Sequence, residues 1–491
     1  MGLMRLTISP PDRITEEMAR QAYLCGLDRV PWRGWNRWTP GELVIQRAVS
    51  ESGNLHIPWP VEGHGLVTLS TATLRERAEP YRLPLELARG KISQVRNQLA
   101  EWEMLGLAVP DPVRHKLREA IASLGDAAVA DQESAASVAT AEKALRLAVD
   151  AAVELVSAFA EQAIAIRRRT SGKLNVLWGG DLGSTVLDDY VAGQYLQTFN
   201  AAIIPLVWRE VEAREGEFLW DICDEQMAWC RTHGLTICAG PLVDLDSRAV
   251  PDWVPASGNR FEHLYACASE FVAAAVTRYR GKVDTWLAAG RVNTGEAFSL
   301  SEEDRVRLAA RAVELTRALD AQAAIVISFD QPWAEYLARH GDDFPPLHFA
   351  DALLRADLGL TGLALEVNMG YSPGGTLPRD LLEFSRQIDF WALLGVPLHL
   401  ILAVPSSSLP DPLATRPAGT LGENWTPAAQ QTWVGRYLPL FLAKTSVRGV
   451  FWNQIRDFEP HRFPHGGLFD LLRHPKPALR LLASLRQAHL R

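Results

Sequence analysis

This 491-residue chain is short of several things that would narrow its role quickly. It has five cysteines, Cys25, Cys223, Cys230, Cys238 and Cys267, an odd number with no CxxC spacing. That gives no zinc or redox motif, and the thiols are expected to be reduced, in the core or at the surface. No apolar run approaches a membrane span, and no membrane partner is expected. The opening MGLMRLTISPPDR lacks the apolar stretch of a secretory signal, which makes a cytoplasmic protein the expectation. There is no basic excess: the net charge is −8 and the pI near 5.9, which argues against a nucleic-acid partner. The only basic cluster, Arg167 to Arg169, precedes Gly172 and suits a helix C-terminus, where cations meet the dipole.

What is present is a globular composition, 47% hydrophobic and 22% charged, on a chain long enough for two or three domains or one large barrel with additions. Residues 1–82 read as a small β-rich unit, with strands at Leu43 to Val49, Leu55 to Trp59 and Leu66 to Ser70 divided by glycines. Trp32, Trp35, Trp38 and Trp59 crowd this unit, either as a sugar-stacking platform or, the commoner use, as core. Residues 83–171 are helical by period, ending in a long alanine-rich helix from about Ala135 to Arg169.

From residue 172 to 491, short apolar runs alternate with amphipathic helices, the mark of repeated βα units. Eight strands are predicted: Leu174 to Trp178, Ala201 to Leu206, Thr236 to Ala239, Thr285 to Ala289, Ala324 to Phe329, Gly362 to Glu366, Leu398 to Ala403 and Gly449 to Asn453. Gly179-Gly180 lacks the rest of a phosphate-binding loop, so the expected fold is an α/β (β/α)8 TIM barrel rather than an open doubly wound sheet. In such a barrel each strand carries its last polar side chains to the carboxyl-end mouth. The sixth strand shows this best: TGLALEVNMGY, Thr361 to Tyr371, ends in Glu366, Asn368 and Tyr371.

Three segments resemble family-10 glycoside hydrolases, the xylanase family. FNAAIIPLVWREVEAREGEFLWDICDEQMAWCRTHGL, Phe199 to Leu235, is similar to that family's second strand and helix. AGPLVDLDSRAVPDWV, Ala239 to Val254, resembles its third-strand loop, and FPHGGLFDLLRHPKPALRLL, Phe463 to Leu482, its approach to the last helix. The resemblance implies a retaining hydrolase with a glutamate acid/base after strand four, usually behind an asparagine, and a glutamate nucleophile on strand seven. This chain departs at both. Gly290 and Arg291 occupy the Asn-Glu place, and Leu402 that of the nucleophile. Asn293 and Glu296 offer the same residue types a few positions later; Glu296 is then either carried in by a two-residue insertion or an ordinary loop acid.

The catalytic pair expected from these residues is Glu366 with Glu296. The expected substrate-binding set is Trp208, Asp244, Arg291, Asn293, Asp330, Gln331, Trp333, Asn368, Tyr371, Trp452, Asn453 and Asp457, with Trp208, Trp333 and Trp452 available to stack on sugar faces. His461 and His465 lack the helical spacing of a zinc motif, and Ser406 lacks a nucleophile elbow, so no metal or cofactor is expected. The leading reading is a glycoside-hydrolase-like protein acting on a β-linked oligo- or polysaccharide, xylan-type first. The alternative is a carbohydrate-binding barrel that has lost catalysis, and a third is another reaction using Asp330 or Asp244.

Overall fold

The computed structural model describes residues 2–130, 134–254, 260–295, 299–339, 344–415, 419–422 and 425–491. Its centre is a ring of parallel strands: β1 (Leu177–Asp181), β2 (Ala201–Ile204), β3 (Thr236–Ala239), β4 (Thr285–Gly290), β5 (Ala324–Asp330), β6 (Gly362–Asn368), β7 (Leu398–Ala403) and β8 (Val447–Trp452). Each pairs with the next, β8 pairs with β1, and β3 meets β4 through Cys238 and Thr285. The sheet is thus a closed (β/α)8 barrel. The helices that follow the strands are Asp189–Thr198, Asp221–Thr232, Arg260–Tyr279, Glu302–Leu319, Pro346–Arg355, Leu381–Ala392, Pro427–Ala443 and Pro477–His489.

Alternation along the strands builds two cores. Inward side chains, among them Ile203, Cys238, Leu287, Val326, Ala364, Ile401 and Phe451, fill the barrel as an apolar plug. Outward ones, such as Ile237, Trp286, Ile325, Leu365, Leu400 and Leu402, lie buried under the helices. On β1, β5 and β6 the inward positions above the plug are polar, Asp181, Ser328, Asp330, Glu366 and Asn368, and they floor the mouth.

The first strand lies three residues later than expected, at Leu177–Asp181 rather than Leu174 to Trp178. Glycines seldom favour a strand, so the sequence signal fades at Gly179 and Gly180, yet close packing requires them there. A Cβ at Gly179 would stand 2.8 Å from the Phe451 ring, and one at Gly180 would stand 2.3 Å from Ile455. The shift brings Asp181 to the carboxyl end of β1.

The N-terminal unit holds two small sheets. Gly34–Thr39, Glu42–Arg47, Gly2–Thr7 and Tyr81–Arg82 form one, and Tyr23–Cys25, Asn54–Val61 and Gly65–Ser70 the other. Trp59 is buried in the core between them, with its indole N–H on Glu142 at 3.2 Å. Helices Leu83–Met104, Asp111–Val129 and Ala135–Ser171 pack together and share the barrel's outer core through Leu99, Trp102, Leu155 and Ile164.

The β-rich unit also sits against the loops after β5 and β6. Gln21 donates to Ser372 Oγ at 3.1 Å and accepts from Arg339 at 2.7 Å. The Tyr23 hydroxyl accepts from Arg379 at 2.9 Å, and Lys91 pairs with Asp380 at 2.5 Å, both ends buried. Among the described residues no helix is long and apolar enough to cross a membrane.

Candidate active site in the barrel mouth

Strands β4, β5 and β6 end side by side, and their inward residues form two adjoining hydrogen-bonded groups. Glu366 on β6 is buried; its Oε1 accepts from the Ser328 hydroxyl of β5 at 2.6 Å and its Oε2 from Arg291 at 3.1 Å. The other side of the Arg291 guanidinium bonds to Asp244, in the short strand Val243–Asp244 beside the end of β4. Arg291 takes a left-handed backbone, φ 53°, as does Gln331 after β5, φ 49°. Such conformations are costly for residues with a Cβ, and at both places they turn the chain sharply as it leaves the barrel.

One level higher, Asp330 accepts from Asn368 at 3.3 Å and from Thr294 at 3.4 Å. Asn293 donates to the Asp330 carbonyl at 2.8 Å and accepts from its N–H at 3.1 Å. Asn453, after β8, donates to Asn368 Oδ1 at 3.0 Å. Hydrogen bonds therefore join Asp244, Arg291 and Glu366 in one group and Asn293, Asp330, Asn368 and Asn453 in a second, and the two meet where Asp330 and Glu366 pair across β5 and β6.

The electrostatics divide the carboxyl groups. Burial works to raise Glu366, but Arg291, Arg462 and the Ser328 hydroxyl outweigh it and hold the group below its ordinary value, ionised at neutral pH. Burial, reinforced by the Glu366 charge, pushes Asp330 up to about 6. Asp181 is pushed up to about 7, again by burial first and with Glu366 adding to it, while the Gly183 N–H, Arg291 and Arg456 oppose the rise. Burial disfavours the Arg291 cation, yet Asp244 and Glu366 more than restore it and its pKa is raised.

Two cavities open on this cluster. One, of about 540 Å³, is bounded by Asp181, Leu206, Trp208, Asp244, Arg291, Glu366 and Asn453. The other, of about 460 Å³, has Asn293, Asp330, Gln331, Tyr336 and Tyr371 in its wall, with Gln21 of the N-terminal unit at its rim. Asp246, Arg291 and Arg462 border both. These dimensions suit a small polar ligand or a short stretch of a larger one.

Several expected residues lie elsewhere or serve other contacts. Trp452 faces outward from β8 and gives its N–H to the Gly466 carbonyl at 2.8 Å, so it packs rather than stacks on a ligand. Trp333 borders a separate cavity beneath the N-terminal unit, edge-on to Phe384. Trp208 contributes an edge to the mouth, but its ring stacks on Phe271 and its N–H is held by Glu212 at 2.7 Å. Asp457 is a buried structural anchor bonded to Lys476, Gln454 and the Gly467 N–H, outside the mouth. Tyr371 borders the second cavity and donates its hydroxyl to the Pro464 carbonyl at 3.0 Å.

Glu296 lies outside the described residues; Thr294 and Gly295, which lead to it, border the second cavity. Leu402 points out of the barrel, and the inward positions at the end of β7 are Ile401 and Ala403, neither of them acidic. His461 has both ring nitrogens engaged, with Asp411 at 2.9 Å and the Glu459 carbonyl at 2.7 Å. Sequence reasoning missed Ser328, Asp181 and Arg462. The first two were legible only through strand register, and Arg462 sits in a loop with no periodicity to point at it.

No protein-family model matches the chain. Over 125 residues, 23% of this chain, it is 27% identical to endo-1,4-beta-xylanase B of Humicola insolens, and the match spans 34% of that protein's length. Among solved structures, xylanase 10B of Thermotoga maritima is similar at a TM-score of 0.49 and 13% identity, covering 65% of this chain and 98% of that one. Xylanase 10B of Thermotoga petrophila, in complex with xylobiose, gives 0.48 and 13%, covering 67% and 97%. The Thermobacillus composti GH10 xylanase gives 0.46 and 17%, covering 63% and 96%.

Proposed function

We propose that the mouth binds a β-linked oligosaccharide, xylan-type in the first instance, and that the protein is a glycoside hydrolase with a rearranged carboxylate pair in which Glu366 is the ionised member. The observation that carries this reading is the setting of Glu366, which meets Arg291 at 3.1 Å and the Ser328 hydroxyl at 2.6 Å and shares its cavity with a second carboxyl, Asp181. Glu366 is held as the anion by Arg291 and Ser328 while its neighbours are pushed toward the protonated form. Glycoside hydrolysis needs that division, one acid to protonate the leaving oxygen and one anion on the far side of the ring. Asn293, bordering the second cavity, and Asn453, bordering the first, bring amide groups of the kind that sugar hydroxyls require.

A carbohydrate-binding protein without catalysis is the second reading. It is favoured by the engagement of both Glu366 oxygens and by the apolar residues at the end of β7. Release of new reducing ends from xylan, β-glucan, mannan and galactan oligosaccharides, run beside Glu366→Ala and Glu296→Ala, separates the two. Turnover that Glu366→Ala abolishes supports the hydrolase, and loss in Glu296→Ala as well would restore Glu296 to the pair. No turnover on any glycan, with calorimetric binding retained, gives the binding protein.

A further inference from the structure

We infer that Asp181 is the proton-donating carboxyl that works with Glu366, an assignment resting on the hydrolase reading of the mouth. Asp181 and Glu366 border the same cavity, together with Asp244, Arg291 and Asn453. They reach it from β1 and β6, three strands apart around the ring and hence on facing walls. Asp330, the other raised acid, is less suited to the task. It is buried, it accepts from Asn368, Thr294 and the Gln331 N–H, and it borders the second cavity rather than the one Glu366 enters.

Asp181 keeps access to its cavity, and among the described residues the one hydrogen bond it accepts is from the Gly183 N–H to Oδ1, at 2.8 Å. The walls nearby include Ile203, Leu206 and Ile401, apolar surroundings that favour the neutral acid. Its pKa, pushed up to about 7, accords with a group that carries a proton at working pH.

In the step proposed, the Asp181 proton passes to the glycosidic oxygen as the bond from that oxygen to C1 breaks, and the bonding electron pair leaves with the oxygen. A water beside Glu366 attacks C1 from the opposite face, forms the new C–O bond and gives its proton to the Glu366 carboxylate. Exchange with solvent removes that proton and reprotonates Asp181, and the sum is hydrolysis. Neighbouring strands lie about 4.8 Å apart, so a three-strand separation leaves room for this water and predicts inversion at C1.

The test is Asp181→Asn, assayed on an oligosaccharide that the parent cleaves and on a dinitrophenyl glycoside of the same sugar, whose leaving group needs no proton. A lost general acid predicts a fall of roughly 100-fold or more on the oligosaccharide, a far smaller fall on the dinitrophenyl substrate, and loss of the basic limb of the pH profile. Glu366→Ala should lose both substrates. Equal losses on the two substrates in Asp181→Asn, or unchanged oligosaccharide cleavage, overturn the assignment while leaving the hydrolase reading in place. A parent that cleaves neither substrate overturns that reading and the role of Asp181 with it. Should Asp181→Asn fail to fold, Asp181→Ala with and without added formate asks the same question. Restoration of oligosaccharide cleavage by the small acid supports the assignment, and no restoration in a folded variant counts against it.

Discussion

Arg291 joins Glu366 to Asp244: one guanidinium reaches Glu366 Oε2 at 3.1 Å from one side and Asp244 from the other, with all three side chains largely out of water. A cation thus stands at the end of β4 and favours the ionised form of the carboxylate two strands away. The left-handed backbone at Arg291 is part of this arrangement, because it turns the residue as the chain leaves β4.

Removing that cation should be expensive. Arg291→Ala leaves Glu366 and Asp244 buried without a counter-charge, and a loss of about 3–5 kcal/mol is expected in urea unfolding at pH 7. The deficit should shrink in acid, where Glu366, no longer held ionised by Arg291, takes up a proton. A deficit independent of pH would mean that the guanidinium stabilises by packing alone.

Asp181 should act in the opposite sense on stability. Its native pKa of about 7 lies above the ordinary aspartate value, so the unfolded chain gives up this proton first as pH rises. Stability from this group is complete in acid and declines between about pH 4 and pH 7, by roughly 4 kcal/mol. Asp181→Asn should therefore raise the melting temperature at pH 8 and lose that advantage at pH 4. Melting curves at the two pH values decide it.

His399 gives a second pH signature, from the far end of the barrel interior. It stacks on Phe451 at 6.0 Å, and burial lowers its pKa to about 4. Below about pH 6.5 the unfolded state binds a proton that the native state refuses, so stability from this group falls as pH drops from about 6.5 to about 4, by roughly 3 kcal/mol. His399→Leu should flatten the acid side of the stability profile, measured as urea midpoints at pH 5 and pH 7.

How much of this was legible in the sequence depended on whether a strand was written in apolar residues. Strands Thr236–Ala239 and Leu398–Ala403 stand at their expected bounds because their runs are unbroken and buried on both faces. The first strand lies later than its apolar run because two of its five residues are glycine, and Asp181 is hidden with it. Glu366, Asn368 and Asp330 were legible because a buried strand that ends in polar residues has few reasons to do so. The tryptophans were not: Trp333 and Trp452 sit beside mouth residues in sequence, but a rotation of one position along a strand end or turn sends a side chain to the helices instead. Contacts such as Gln21 with Ser372, 351 residues apart, have no local signature at all.

The join between the N-terminal part and the barrel rests on another buried pair, and its consequences can be separated by mutation. Lys91, on helix Leu83–Met104, meets Asp380 at 2.5 Å, and Asp380 also caps helix Leu381–Ala392 by accepting from the Leu382 and Glu383 N–H groups. Asp380→Ala removes the cap and strands the ammonium, so a loss of about 3–5 kcal/mol is expected. Lys91→Met with Asp380→Asn keeps the cap and removes both charges, and it should recover most of that loss, since a buried pair gains little over apolar contacts of the same size. Comparing the double variant with each single one by urea unfolding measures the coupling. A double variant as unstable as Asp380→Ala would show that the pair is a net attachment between the two parts, and separate unfolding transitions for helix and barrel would then be expected in it.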